Sequence, residues 1–404
     1  MTSTAEPRAV RHHGSHRDLL RAAAGGAAPT SAVDAVVVPT ARHPAALRTA
    51  LDVGAELGCV VVALCSRYSS ADQVAARARP DVELVAVDTD RLPAGLLPEF
   101  ETTTRPAGTI FERRVDTSLK RNLGLLLAGV VGWERIAFLD DDIAVPDPQA
   151  LTRAAGLLDT CDAAALAVEG FPDNSVVCHA YREVGGAQDT FTGGGALVVG
   201  RSLLRSFFPN VYNEDWFFLL DDRGIGSSAV VGRAVQKPYD PFANDQRARS
   251  EEFGDCLAEG LFALLDDGGS LEHADAGFFA RFIADRRAMI SDIVDRVAAR
   301  PPSEERDRVL VALKAARGRC LRITPQLYVD YLAAWRRDRR VWRTHLADLH
   351  ARLLPGGRHY RPAGLGLEKA LVELGLVDLA RHLPARPPGG GPTGQAPPMW
   401  RNAQ

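Results

Sequence analysis

Along the first half of the chain, apolar residues cluster in short β-branched runs separated by stretches of helical spacing. Residues 34–40 (Asp-Ala-Val-Val-Val-Pro-Thr), 59–65 and 82–88 read as buried strands. Between the first two, Leu47, Leu51, Val53 and Leu57 recur at helical intervals over 43–57, and Gly58 supplies a stop signal. Residues 66–78 read as a loop and helix. This β-α-β-α-β order predicts a parallel sheet with helices on both faces, an α/β, Rossmann-like fold. Residues 99–116 carry few core signals and read as a loop over the sheet edge. An amphipathic helix is expected over 118–131, with Leu119, Leu123, Leu126, Leu127 and Val130 turned inward. A strand over 136–139 follows, then a helix over 151–158 and strands over 163–169, 175–181 and 229–236. Beyond residue 250 the pattern becomes helical, over 251–265, 274–299, 303–316, 326–353 and 366–383. The organisation expected is a poorly ordered segment 1–30, an α/β domain 31–250, a helical extension 251–383 and a disordered Pro- and Gly-rich tail 384–404.

The 404 residues carry a net charge of −3, which gives no general attraction to nucleic acid or membrane. No segment reaches the roughly 18 apolar residues of a membrane span, and no signal peptide is evident, so an integral membrane segment is not expected. Six cysteines are scattered without a C-x-x-C pair, which argues against a zinc or disulfide framework and fits a reducing cytoplasm. The Arg-rich stretch 335–343 reads as a salt-bridged, solvated helix face, with an anionic membrane surface or acidic acceptor as the other reading.

The strongest chemical signal is Arg135-Ile-Ala-Phe-Leu-Asp-Asp-Asp-Ile-Ala-Val-Pro146. Three adjacent carboxylates repel one another unless water or a cation surrounds them, so an apolar strand ending in Asp140, Asp141 and Asp142 suggests a sheet rim facing a cleft. Strand alternation would put Asp140 and Asp142 on one face and Asp141 on the other. Two carboxylates on one side suit a hard cation such as Mg²⁺ or Mn²⁺ and, with it, a substrate diphosphate. A solvated acidic turn before Pro146 is the competing reading. Other signals come in a definite order. Pro39-Thr40 and Arg42 end the first strand, and Lys120 and Arg121 open a helix before the aspartates. Gly193, Gly194 and Gly195 precede an apolar strand, and Asn213, a plausible N-cap, precedes Glu214, Asp215 and Trp216.

This series resembles the GT-A fold glycosyltransferases, most closely the large inverting family that includes chitin, cellulose and many polysaccharide synthases. The resemblance spans residues 33–240 and leaves the helical part aside. It implies a hexosyltransferase-like enzyme that moves a sugar from a nucleoside diphosphate sugar to a hydroxyl acceptor. In such enzymes Asp142 would bind the metal (Mn²⁺ or Mg²⁺) on the donor diphosphate, and Asp140 would contact donor sugar or ribose and stand near the same ion, with Asp141 a possible participant. Pro39, Thr40 and Arg42 would lie against the nucleotide, and Gly193–Gly195 would border the two sugars. Asp215 would be the general base, with Glu214 beside it. Arg113, Arg114, Lys120 and Arg121 are candidates to take leaving-group charge, and Trp216 is a candidate acceptor platform or a core residue. His179 and His273 are candidates for a late metal ligand. Cys65 and Cys178 read as small core residues. Many family members place a base-reading acid at the end of the second strand. Here Cys65-Ser66 stands there, and Asp72 and Asp88 are the nearest acids. The helical extension would either cover the acceptor site or form a homo-oligomer contact. A sugar-phosphate nucleotidyltransferase is a second enzyme reading, against which the first strand lacks a Gly-rich, Arg-containing loop. A non-catalytic nucleotide-sugar-binding protein is the third.

Overall fold

The computed structural model describes residues 12–14, 16–22, 29–172, 174–189, 191–353 and 364–386. A two-residue strand β1 (Arg21–Ala22) is followed by β2 (Ala35–Thr40), α1 (Arg48–Leu57), β3 (Val60–Cys65), α2 (Ala71–Ala75) and β4 (Leu84–Asp88). As expected, β2, β3 and β4 pair in parallel. The pleat explains their near-continuous apolar composition, because both faces are buried. Val37 packs on one face, and Val36 and Val38 pack with α1 on the other.

After the short α3 (Glu101–Thr104) comes α4 (Thr117–Val131). It lies close on the sheet, since a Cβ on Gly124 would come within 2.7 Å of Val37 Cγ1. The helix ends at Gly132, whose φ of 96° favours glycine. Then follow β5 (Arg135–Leu139), β6 (Ile143–Ala144), α5 (Gln149–Leu157), β7 (Ala163–Gly170), α6 (Val176–Glu183) and β8 (Ala196–Gly200). Residues 175–181 are therefore a helix and not the expected strand. Ser175 caps it by accepting from Cys178 N–H, and so short an apolar run has no periodicity that distinguishes the two.

The chain continues through α7 (Glu214–Leu219), β9 (Ser228–Gln236), α8 (Asp245–Asp266), α9 (Ala276–Ala298), α10 (Glu304–Cys320), α11 (Pro325–Leu353), α12 (Leu367–Glu373) and β10 (Ala380–Leu383). The sheet order is β1-β9-β7-β8-β5-β2-β3-β4-β10, with β6 paired to β9. β8 runs antiparallel between β5 and β7.

Three expectations are corrected. The helix over 366–383 stops at Glu373. Residues 380–383 add an antiparallel strand to β4, covering backbone groups that an edge would leave open. The boundary at residue 250 falls inside α8, and Phe253, Leu257, Phe279, Ile290, Trp335 and Trp342 share one core cluster with α4 and the sheet. Near the N-terminus, where order was not expected, β1 pairs with β9 and His16 is buried. The rest of that segment, residues 1–11, 15 and 23–28, and the tail 387–404 lie outside the described residues. The Arg-rich stretch on α11 is partly packed: Arg339 is buried and donates to Leu220 C=O, while Arg337 pairs with Glu101. No helix among the described residues is long and apolar enough to cross a membrane.

Candidate active site

Parallel strands bring their carboxyl ends to one edge, where ligands bind in α/β sheets. Thr40 closes β2 and Asp140 follows β5 there. Because β8 is antiparallel, its N-terminal glycines reach the same edge, and Asp140 N–H donates to Gly195 C=O at 3.0 Å. The starts of α4 and α7 complete the ring.

The strand β5 stops at Leu139, and Ile143 N–H closes a turn on Asp140 C=O at 3.1 Å. The alternation expected for the aspartates therefore does not extend through them. Asp140 accepts from Arg121 Nη2 through both oxygens, at 2.9 and 3.0 Å. Asp141 is buried and accepts from Thr40 Oγ1 at 2.7 Å and from Arg42 Nη1. Arg42 Nη2 also bonds Asp142 Oδ2 at 2.8 Å, and Asp142 stays partly exposed.

Lys120 is buried. Its ammonium group bonds Thr40 C=O at 2.8 Å, Ser66 Oγ at 2.7 Å and Asp116 Oδ2 at 3.0 Å. Those contacts use its three donors, so Lys120 fixes the end of β2 to α4 rather than presenting a free charge to a phosphate. Arg113, the other arginine turned inward, joins Arg121 on the buried Glu214. Arg113 Nη1 bonds Glu214 Oε2 at 2.9 Å and Arg121 Nη1 bonds Oε1 at 3.0 Å. Arg114 pairs with Glu112 at the surface.

The two acids that open α7 are driven apart. Burial pushes the Glu214 carboxyl up, but Arg113 and Arg121 outweigh it and leave it below its ordinary range. Asp215 is raised by burial and by the neighbouring Glu214 carboxylate, with Arg121 and the Gly194 and Trp216 N–H groups only partly offsetting them. Gly194 N–H donates to Asp215 Oδ2 at 2.6 Å and Trp216 N–H to Oδ1 at 2.9 Å. The glycines are required by this closeness. A Cβ on Gly193 would lie 2.7 Å from Asp215 Oδ2, and one on Gly194 would lie 2.5 Å from Arg121 Nη1. Asn213 takes the N-cap position with φ 61°, but its side chain turns to Asp255 at 3.2 Å instead of capping.

Two adjoining cavities result. One, of about 280 Å³, is lined by Pro39, Thr40, Arg42, Arg67, Lys120 and the three aspartates. The other, of about 220 Å³, is lined by Arg121, Asp215, Phe191, Tyr212, Asp255 and Glu259 among others. Asp140 and Thr117 belong to both walls. Trp216 borders the second cavity but is 9% exposed and packed against Phe191 and Phe262, so its ring belongs chiefly to the core.

Neither candidate histidine joins the aspartates. His179 stacks on Phe171, bonds Tyr239 and is pushed down to about 4, by burial first and then by Arg247 and Arg182. His273 accepts from Ser270 N–H in a helix cap. Asp88 accepts from Ala71 N–H at the start of α2, and Asp72 pairs with Arg381, so neither acid lines the first cavity. Cys65 is a core residue whose thiol burial pushes up to about 12, whereas Cys178, also buried, borders the second cavity.

Sequence reasoning missed Asp255 and Glu259. Their signal was spacing: Glu251, Asp255 and Glu259 recur every four residues and so share one face of α8, the face turned to the cavity.

No protein-family model matches the chain, and no curated protein is similar to it in sequence. Among solved structures, a mannosyltransferase from Pyrobaculum calidifontis in complex with GDP-mannose and Mn²⁺ aligns over 79% of this chain and 87% of its own, at 16% identity and a TM-score of 0.37. So remote a likeness leaves the chemistry to be argued from the residues of this chain.

Proposed function

We propose that this protein is a GT-A-type glycosyltransferase of the inverting kind, acting on a nucleoside diphosphate sugar and a hydroxyl acceptor. One observation carries the reading: Asp140 stands on the common wall of a cavity rimmed by Arg42, Asp141 and Asp142 and a second that holds the raised carboxyl of Asp215. The first cavity suits the nucleoside diphosphate, the second the acceptor, and the anomeric carbon would lie between them.

In this mechanism Asp215 accepts the acceptor hydroxyl proton as that oxygen bonds to the anomeric carbon, and the bond from that carbon to the diphosphate oxygen breaks. The two N–H donors on Asp215 fix its orientation. The upward shift makes it a stronger base than an ordinary aspartate, and Arg121 keeps it ionisable. The donor set fits a hard divalent cation, because Mn²⁺ or Mg²⁺ takes one or two carboxylates together with substrate phosphate oxygens. Asp142, partly exposed and bonded to Arg42 through one oxygen only, is the first ligand in this reading, with Asp140 next to it. Such an ion would supply charge neutralisation at the leaving diphosphate. Arg42, exposed on the rim, is placed to move from the aspartates to the diphosphate. Free thiols at all six cysteines fit a reducing cytoplasm.

The test is nucleotide release from a panel of nucleoside diphosphate sugars with Mn²⁺, water serving as acceptor. Asp215→Asn is expected to lower kcat by about 100-fold or more while leaving the donor KM unchanged. Asp142→Asn is expected to raise the donor KM. Full activity in Asp215→Asn would remove its assignment as the base, and a product with the donor's anomeric configuration would remove inversion.

A further inference from the structure

A second cluster of metal-ligating side chains lies behind the acceptor cavity, where His13 and His16 meet the end of α8. His13, His16 and Asp266 each bring one ligand atom to within 4.8 Å of the others. His13 Nδ1 is 3.6 Å from Asp266 Oδ2, and His16 Nδ1 contacts the same oxygen. Adjacent ligands of a tetrahedral zinc site, each about 2.0 Å from the metal, stand about 3.3 Å apart. A small opening of the His16–Asp266 contact would therefore admit an ion.

The opposite ring nitrogens strengthen the case. A metal-binding imidazole uses one nitrogen's lone pair, and its other N–H is usually held by a carboxylate. His16 Nε2 meets Glu259 Oε2 at 3.1 Å, and His13 Nε2 faces Asp267 Oδ1 at 3.9 Å. Both rings thus turn Nδ1 to a shared centre and Nε2 to a separate acid. The rings are also nearly parallel, with centroids 5.7 Å apart. His16 is 4% exposed, adopts a left-handed backbone with φ 56°, and is edged by Trp216, Phe262 and Phe191.

We propose that His13, His16 and Asp266 form a structural site for zinc or a similar borderline transition metal, distinct from the hard-cation site at Asp142. Two imidazoles and one carboxylate suit Zn²⁺ better than Mg²⁺. The ion would fasten His13 and His16 to α8. Through His16 and Glu259 it would brace the wall of the acceptor cavity, because Glu259 lines that cavity.

The experiment is calorimetric titration of Zn²⁺ into the chelator-treated full chain without nucleotide, paired with thermal unfolding. It uses Asp142→Asn, which weakens the proposed hard-cation site, and the His13 and Asp266 variants separate this site from the cysteine-containing clusters Glu252/Cys256/Cys320 and Cys178/Asp255/Glu259. One equivalent of Zn²⁺ is expected to bind and raise the unfolding midpoint. Adding His13→Gln or Asp266→Asn is expected to weaken that binding at least tenfold and abolish the rise. The His13 and Asp266 side chains are 21% and 12% exposed, and far-UV circular dichroism checks that each variant keeps the fold. Absence of a one-to-one site in Asp142→Asn, or binding unchanged by both further substitutions, would overturn the proposal. Donor turnover plays no part in this readout, so the result is separate from that of the transferase reading.

Discussion

Arg121 is the electrostatic keystone of the proposed site, and Arg121→Met tests that role. Its guanidinium is 3% exposed and bonds Asp140 through both oxygens and Glu214 through one. Removing one partner of a buried ion pair costs about 3–5 kcal/mol, because the remaining charge is left uncompensated. Glu214 keeps Arg113 at 2.9 Å, and Asp140 retains solvent contact at 31% exposure, which places the loss near the lower end, about 3 kcal/mol. That corresponds to roughly a 100-fold shift in the folding equilibrium. The loss should also depend on pH. Glu214 sits below its ordinary range partly because of Arg121, so it contributes stability above its unfolded pKa that is lost as pH falls through the folded one. In Arg121→Met the carboxyl rises, and protonation relieves the unpaired charge. The difference between the two proteins should be full near neutrality and shrink towards pH 4. Urea unfolding followed by tryptophan fluorescence at several pH values measures it. Arg121→Lys should recover only part of the loss, since an ammonium keeps the charge without the fork. A penalty under about 1 kcal/mol that does not change with pH would refute the keystone role.

Further outcomes follow from the same geometry. Gly194→Ala puts a Cβ 2.5 Å from a guanidinium pinned by two acids, so it should lower kcat more than donor affinity, read by turnover and nucleotide titration. The acid limb of kcat/KM should lie above the ordinary aspartate range because Asp215 is raised, and Asp215→Asn should eliminate it; a limb at the usual aspartate value would contradict the shift. His179, pushed down from 6.5 to about 4, contributes stability above pH 6.5 that is lost as pH falls through that window. The loss is about 3 kcal/mol, and His179→Phe should flatten that part of a stability–pH curve.

Much of the sheet was legible because buried parallel strands are apolar throughout, as the valines of β2, β3 and β4 are. The segments misread were those decided by partners distant in sequence. β10 is a strand because β4 offers an edge, and α6 is a helix because Ser175 caps a run that periodicity cannot assign. His16 is buried because Glu259 and Asp266 wait for it on α8, about 250 residues away in sequence. At the candidate site, adjacency in sequence pointed to Asp140–Asp142, and the family resemblance pointed to Glu214–Asp215. Neither could reveal that Arg121 joins the two groups or that Lys120 is spent on Thr40, Ser66 and Asp116, and the four-residue spacing of Asp255 and Glu259 gave a shared helix face but not the cavity it meets.

The most direct test of the proposed function is whether the Arg42–Asp142 cavity takes a nucleoside diphosphate. Thermal unfolding against a panel of nucleoside diphosphates, with and without Mn²⁺, tests this on wild type and Asp142→Ala. One nucleotide should raise the wild-type midpoint only with Mn²⁺, and Asp142→Ala should abolish the rise. Absence of any shift in a folded sample, or an equal shift in the variant, would contradict the donor site.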